Sequence, residues 1–314
     1  MAQVSGQGTV WNLPNYAGVL YCAGQLNQPF LRAIGGVSGG GQMTENFEFP
    51  IASEFDFPSA AQPAITETAS LTAPTAIEYV RNQSFNVCQI FQESVNVSYE
   101  KLANRGRLSG INTVGLKNNV GEEMTWQKTQ ALQKMYRDIN YTAINGVYQI
   151  ATNAGVANKT RGMLAAISSN AVAASAATLT KSMIDTLLKT MFDNGAIFNN
   201  LVIVCNGFQK QKISDIYGYA PEDRTVGGVN IQQILTDFGA IGIMLDKDMP
   251  AASMAFVEMS VVSPVWQAVP GKGLLFYEDL AKVGASENGQ FFGKFGLNYG
   301  AEWLHGKITG LATS

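Results

Sequence analysis

The residues able to do chemistry are few and poorly placed for it. His305 is the only histidine among 314 residues. That excludes a histidine-centred triad and a multi-histidine metal site within one chain. A phosphate-cradling loop needs Gly, four residues, then Gly-Lys and a hydroxyl residue. The run Gly300-Ala-Glu-Trp-Leu-His-Gly306-Lys307 has five residues between its glycines and Ile308 where the hydroxyl belongs. Gly271-Lys272-Gly273 lacks the upstream glycine. The glycines of residues 35–41 precede a strand, the wrong order for a dinucleotide-binding turn. Asp237-Phe238-Gly239 spells a kinase metal motif without the catalytic and Gly-rich loops that give it meaning. Asp246 and Asp248 have no third carboxylate at metal-loop spacing and read as a solvated turn before Pro250. Glycosidase chemistry needs two carboxylates at a separation that the fold sets, and the sequence singles out no pair. No catalytic residue, cofactor-binding residue, cofactor or metal is therefore expected.

Cys22, Cys88 and Cys205 are odd in number and far apart, so they fit neither a disulfide framework nor a zinc site and read as reduced core residues. No basic segment followed by an apolar core opens the chain, and no apolar run reaches the roughly 18 residues of a membrane helix. The sequons at Asn82, Asn96, Asn140 and Asn158 are then chance matches in an Asn-rich chain. Net charge is −3 and only 14% of residues are charged, with Lys and Arg scattered, so no phosphate-gripping patch is expected. The surface must be rich in Gln, Asn, Ser, Thr and Gly, or covered by other chains. Phe47, Phe49, Phe55 and Phe57 could stack bases, but acidic residues alternate with them, which favours a covered apolar face.

The elements that would position these residues start from the longest periodic stretch, a helix expected over residues 119–153. Ala131, Met135, Ile139, Ala143, Val147 and Ile150 recur at helical steps along one face. About 30 residues at about 1.5 Å each make a rod of about 45 Å. Asn119 and Glu122 resemble a capping box, Glu122 and Glu123 suit the positive end of the helix dipole, and Lys134 faces Asp138 one turn on. Such a rod needs a long, flat partner.

The preceding chain supplies one. Residues 1–45 are Gly-rich with apolar anchors such as Trp11, Leu13, Phe30 and Leu31, which suits an arm draped over another surface. Residues 47–57 alternate with Phe47, Phe49, Ile51, Phe55 and Phe57 on one face; Pro50 and Pro58 point to an edge or bulged strand. Alternation resumes over residues 85–98 after a polar loop, giving a long hairpin that is marginal alone in water. Beyond residue 162 the texture becomes α/β. Helices are expected over 178–192, capped by Thr178, and over 207–217. Strands are expected at 201–205, 229–235, 241–245, 254–262, 273–277 and 291–299, with a final short one within 302–311.

The order of arm, hairpin, long helix, α/β lobe and returning strands resembles the major capsid proteins of tailed bacteriophages, with the Hong Kong 97 phage-type fold. It is most similar to the phage SU-ten type major head protein family. Three motifs carry the resemblance: Gln28-Pro-Phe-Leu-Arg-Ala-Ile-Gly-Gly36, Asn86-Val-Cys-Gln-Ile-Phe-Gln-Glu-Ser-Val-Asn-Val-Ser98 and Trp303-Leu-His-Gly-Lys-Ile-Thr-Gly-Leu311. Leu235-Thr-Asp-Phe-Gly239 is a weaker fourth.

The resemblance implies an α+β fold with an N-terminal arm at 1–45 and an extended β-hairpin loop at 46–98. A peripheral domain would comprise 99–165 and 275–314 around the spine helix, and an axial domain 166–274. It implies a structural, non-enzymatic protein that self-assembles through hexamers and pentamers into an icosahedral shell around double-stranded DNA, without sequence-specific DNA binding and without a membrane. Portal and scaffolding proteins, with or without a decoration protein, would be its partners. Its place would be the virion, after assembly in the bacterial cytoplasm. Phe30, Phe47, Phe49, Phe55, Phe57, Arg81, Glu122 and Glu123 are the candidates for contact between subunits. Residues 43–98 contain no lysine, so a non-covalent shell is expected, unlike the cross-linked founding member. The arm is neither helical in pattern nor charged, so no cleaved scaffolding segment is expected within it. Two other readings share some features: the shell of an encapsulin compartment, and a polysaccharide-active enzyme of a phage or cell surface.

Overall fold

The computed structural model describes residues 22, 27–36, 41–103, 122–218, 223–226 and 229–313. Most of the arm, and Asn119 with its capping box, lie outside the described residues. The first half of the chain contributes α1 (Pro29–Ala33), β1 (Gln42–Thr44), β2 (Glu48–Glu54), α2 (Glu67–Ser70), β3 (Asn82–Val87), β4 (Gln89–Ser98), α3 (Tyr99–Ala103) and α4 (Glu123–Asn145). After α5 (Met163–Ala166) come β5 (Ala171–Ala173), α6 (Lys181–Asp193), β6 (Leu201–Cys205), α7 (Gly207–Tyr217), β7 (Asp223–Val226), β8 (Val229–Thr236) and β9 (Gly239–Leu245). The chain closes with β10 (Ser253–Glu258), β11 (Ser263–Gln267), β12 (Leu275–Asp279), β13 (Ser286–Asn298) and β14 (Gly306–Thr309).

Two sheets carry the fold. In the first, β13 lies between β4 on one side and β12 and β11 on the other, with β1 running parallel beside β11. In the second, the order is β5-β14-β10-β6-β9-β8-β7. Its centre, β6, is Leu-Val-Ile-Val-Cys and buried throughout, because helices or the other sheet cover both of its faces. Burial pushes the Cys205 thiol up to about 12, so this cysteine is an inert core residue.

The long helix α4 packs on the first sheet through Met124, Ala131, Met135, Ile139, Ala143 and Ile144. Lys134 pairs with Asp138 at 3.0 Å, as the spacing predicts, and also reaches Glu93 on β4 at 2.8 Å. The helix is shorter than expected: it ends at Asn145, and Val147 and Ile150 are exposed. The reason is a backbone crossing at Gly146. Gly162 donates to the Gly146 carbonyl at 2.8 Å, and a Cβ on Gly162 would lie 2.4 Å from the Gly146 nitrogen. The stripe continues in sequence, but the chain turns to let the returning segment pass. Gly162→Ala should therefore lower stability by roughly 1–3 kcal/mol through overpacking against backbone, read as a Tm several degrees lower in a thermal melt.

Other elements differ from expectation in instructive ways. The 85–98 strand breaks at Cys88, where Val87 and Cys88 are both buried and the alternation fails. Only β3 pairs with β2 in the hairpin; β4 leaves it and pairs along β13 from Gln89↔Phe295 to Ser98↔Ser286. The cap of α6 is Thr180, whose hydroxyl accepts from the Met183 N–H at 3.3 Å; Thr178 lies outside the helix. The 254–262 strand ends early, at Glu258 as β10; residues 259–262 turn, and β11, which was not expected, follows in the other sheet. The stretch before α6, where no strand is expected, holds β5, and the C-terminal β14 lies beside it in the seven-stranded sheet. By contrast, α7 has the expected bounds, capped by Asn206, which accepts from the Gln209 N–H at 3.0 Å.

Asp246 overturns the solvated-turn expectation. It is fully buried, and its carboxylate accepts from the Asp248 N–H at 2.9 Å, from Asn140 Nδ2 at 3.1 Å and from the Phe30 N–H at 3.4 Å. Asn140 on α4 also accepts from the Leu31 N–H at 2.9 Å. The first turn of a helix leaves N–H groups without partners. Gln28 caps α1 with no side-chain bond, so Asp246 and Asn140, distant in sequence, do that work. Burial raises the Asp246 carboxyl pKa above its usual range, and the donors partly oppose that rise.

Three segments run between the two sheets: the one from α5 into β5, the one from β10 into β11 and the one from β13 into β14. One polar network ties them. Glu302 accepts from the backbone N–H groups of Ser168 and Ser169 at 2.9 and 3.1 Å, and from the Ser169 hydroxyl. Asn170 donates to the carbonyls of Trp303 at 2.7 Å and His305 at 2.9 Å. His305 is buried; its Nδ1 accepts from the Glu258 N–H at 3.1 Å, and its Nε2 lies 2.6 Å from the Tyr299 carbonyl.

Candidate assembly surface

The hairpin of β2 and β3 has a fixed root and an exposed outer half. At the root, Asn86 is fully buried. Its Nδ2 donates to the Leu297 carbonyl at 2.8 Å and the Arg161 carbonyl at 3.2 Å, and its Oδ1 accepts from the Arg161 N–H at 2.8 Å. Phe49 is only 3% exposed and sits over Gly296, where a Cβ would come within 2.5 Å of the ring. Cys88 and Val265 complete this small cluster, and burial pushes the Cys88 thiol up to about 12. The two strands pair from Glu48↔Val87 to Glu54↔Asn82, with a register shift between Pro50 and Ser53, as Pro50 leads one to expect.

Beyond the root the side chains have no cover. Phe55 and Phe57 are 57% and 66% exposed and meet edge to face at 5.2 Å; Tyr79, 51% exposed, meets Phe57 at 5.6 Å. Ile65, Leu71, Ile77 and Val80, on the same connection between β2 and β3, are exposed too. Single exposed apolar residues are ordinary, but a contiguous aromatic patch on a projecting hairpin marks a contact surface. Below it, a cleft of about 700 Å³ lies between the hairpin and the end of α6, lined by Glu54, Phe55, Val80, Ser169, Asp193 and Trp303. Burial, then the nearby Glu302, raises the Glu54 carboxyl pKa. Burial acts upward on Glu302 too, but its serine donors outweigh that and hold it below the usual carboxylate range.

The candidate contact residues separate into two groups. Phe47, Phe55, Phe57, Arg81 and Glu122 lie exposed. Phe30, at 1% exposure, and Phe49 belong to the core of the chain itself and are unavailable to a neighbour. Glu123 is half-buried and paired with Lys101 at 2.7 Å. Asn86, Asn140, Asp246 and Glu258 are polar residues whose burial is not among the sequence-based expectations. Asn140 carried a visible signal, a polar residue beside Ile139 on the apolar face of a long helix. Among the described residues no cluster of acidic, histidine or cysteine side chains could hold a metal, and no helix is long and apolar enough to cross a membrane.

Two sheets joined by three segments, a long helix on one of them and a projecting hairpin define a shell subunit of the Hong Kong 97 phage-type fold. The capsid of cyanophage A-1(L) superposes with a TM-score of 0.63 at 13% identity, over 95% of this chain and 97% of that one. The capsid of the native GTA particle gives 0.56 at 14% identity, over 98% and 96%. The SrpI encapsulin of Synechococcus elongatus PCC 7942 gives 0.56 at 12%, over 95% and 94%. A family model, SU10 major capsid protein, matches residues 3–312, and the chain belongs to that family. It is a major capsid protein, a component of the virion shell. No curated protein sequence matches it.

Proposed function

We propose that this chain forms a closed icosahedral shell of hexamers and pentamers around double-stranded DNA, has no catalytic role, and assembles in the bacterial cytoplasm with portal and scaffolding partners. The exposed patch of Phe55, Phe57 and Tyr79 on the hairpin carries this reading: it is a contiguous aromatic surface of the kind a neighbouring subunit covers. In this reading residues 1–45 are the arm. The extended loop is residues 46–87, since β4 pairs in the five-stranded sheet. That sheet with α4 forms the peripheral domain, and the seven-stranded sheet with α6 and α7 the axial domain. The slightly acidic net charge of −3 suits a wall that must let DNA enter and leave. The family match favours a phage shell over an encapsulin compartment.

Negative-stain microscopy of the purified chain, expressed with and without a scaffolding partner, should show closed shells. A uniform monomer under both conditions, or polysaccharide cleavage, would overturn the reading. Residues 43–98 offer no lysine for a cross-link. Boiled shells should accordingly run as a single band of the 33.7 kDa chain on a denaturing gel; a ladder of linked subunits would refute a non-covalent shell.

A further inference from the structure

We propose that His305 is an acid-operated latch on the junction between the two sheets, closed while its ring is neutral and released when the ring gains a proton. The geometry admits one neutral tautomer. Nδ1 faces the Glu258 N–H, so it must be the bare acceptor, and Nε2 must carry the proton that it donates to the Tyr299 carbonyl. A second proton on Nδ1 would confront that N–H and break the bond. Glu258 ends β10 and Tyr299 follows β13, so the ring bridges two of the three segments between the sheets. Asn170 binds the His305 carbonyl and links the third.

The charged and titratable groups around the ring are Glu258 from β10, Glu302 from the 3-10 turn before it, and Tyr299, whose hydroxyl accepts from Arg161 at 3.2 Å. Lys307 is turned away onto the Leu164 carbonyl at 2.9 Å, and α6 presents Leu187 and Met191 to the adjoining Gly306. Glu258 is itself held by the N–H groups of Asn199, Asn200 and Ser260 and by the Ser260 hydroxyl. Burial is the largest influence and lowers the His305 pKa to about 4, although the Tyr299 bond, Glu258 and Glu302 pull upward. A closed junction therefore binds fewer protons than an open one whose histidine titrates near the ordinary value of about 6.5. The latch is fully engaged above about 6.5 and is progressively lost as pH falls toward about 4.

The test is hydrogen–deuterium exchange by mass spectrometry on the wild-type chain and on His305→Gln, whose amide can make both bonds without titrating. Rates are corrected for intrinsic pH dependence. Between about pH 7 and about pH 4.5, amides of Glu258 and residues 299–305 should exchange more than about tenfold faster in wild type and change less than about twofold in the variant. Exchange of the C2 proton of this single histidine should report a midpoint near 4. Equal acceleration in the variant, or a midpoint near 6.5 with an unmoved junction, overturns the latch. If the variant does not fold, the wild type decides alone: junction amides that fail to accelerate as the ring titrates refute it. These readouts need no assembled particle, so they stand apart from the shell reading. Only a second readout, an acid-induced change in particle diameter that His305→Gln abolishes, rests on it.

Discussion

Replacing Ile139 by proline should abolish shells and remove a large part of the subunit's stability. Ile139 is fully buried in the middle of α4. Proline there deletes the N–H bond to the Met135 carbonyl and drives its ring into that same carbonyl, at a cost of about 3 kcal/mol or more. Loss of the isoleucine side chain from the core adds roughly 2 kcal/mol. The sum of roughly 5 kcal/mol is comparable to the whole stability of a marginal domain. Denaturant unfolding should show the midpoint fall steeply, and electron microscopy should show no shells. Ile139→Val, costing roughly 1 kcal/mol, should assemble normally. Normal shells from the proline variant would remove α4 from its place as the spine.

The second large effect should appear with no loss of subunit stability. Replacing Phe55, Phe57 and Tyr79 together by serine changes groups that touch mainly one another and solvent. The isolated subunit should melt within about a degree of wild type, since surface substitutions rarely exceed about 0.5 kcal/mol. Assembly should fail, because covering each exposed ring is worth roughly 1.5–3 kcal/mol and every subunit in a shell repeats the contact. Sedimentation velocity separates free subunits from particles. Phe49→Ala is the contrasting control. That ring lies in the chain's own core over Gly296, so its loss should cost the subunit itself roughly 3–5 kcal/mol. Shells from the triple variant at the wild-type protein concentration would exclude this patch as the assembly surface.

The elements most legible in the sequence were those with a local cause. The α7 helix begins after an asparagine cap and ends at a glycine, and its bounds match those the sequence predicts. The β6 strand is a short apolar run that could only be buried on both faces. The long helix was visible by its stripe, yet its end was not. That end is set by Gly162, which lies 16 residues beyond Gly146 and meets it only in three dimensions. The same holds for β4. Its alternation is continuous with β3 apart from Cys88, but its partner, β13, is nearly 200 residues away, and periodicity does not name partners. The aromatics read as one strand face, but β2 covers only Glu48–Glu54 and shifts register between Pro50 and Ser53, so Phe47, Phe55 and Phe57 fall beyond its ends; alternation could not separate them from Phe49, held by Gly296. The polar residues were least legible. Asp246 looked like a turn residue because turns and buried helix caps use the same side chains.

That carboxylate also has a mechanical consequence. Phe30 and Leu31 are held at once by Asp246, on the turn after β9, and by Asn140, in the middle of α4. Asn140 also grips Asp248 at 2.6 Å, and Asn145 donates to the Asp248 carbonyl at 2.8 Å. The start of α1 is therefore a shackle bolted to two separate parts. Tension applied at Gln28 would not peel it away one bond at a time. The tension would be shared in parallel between the helix and the far sheet, and both would have to yield together.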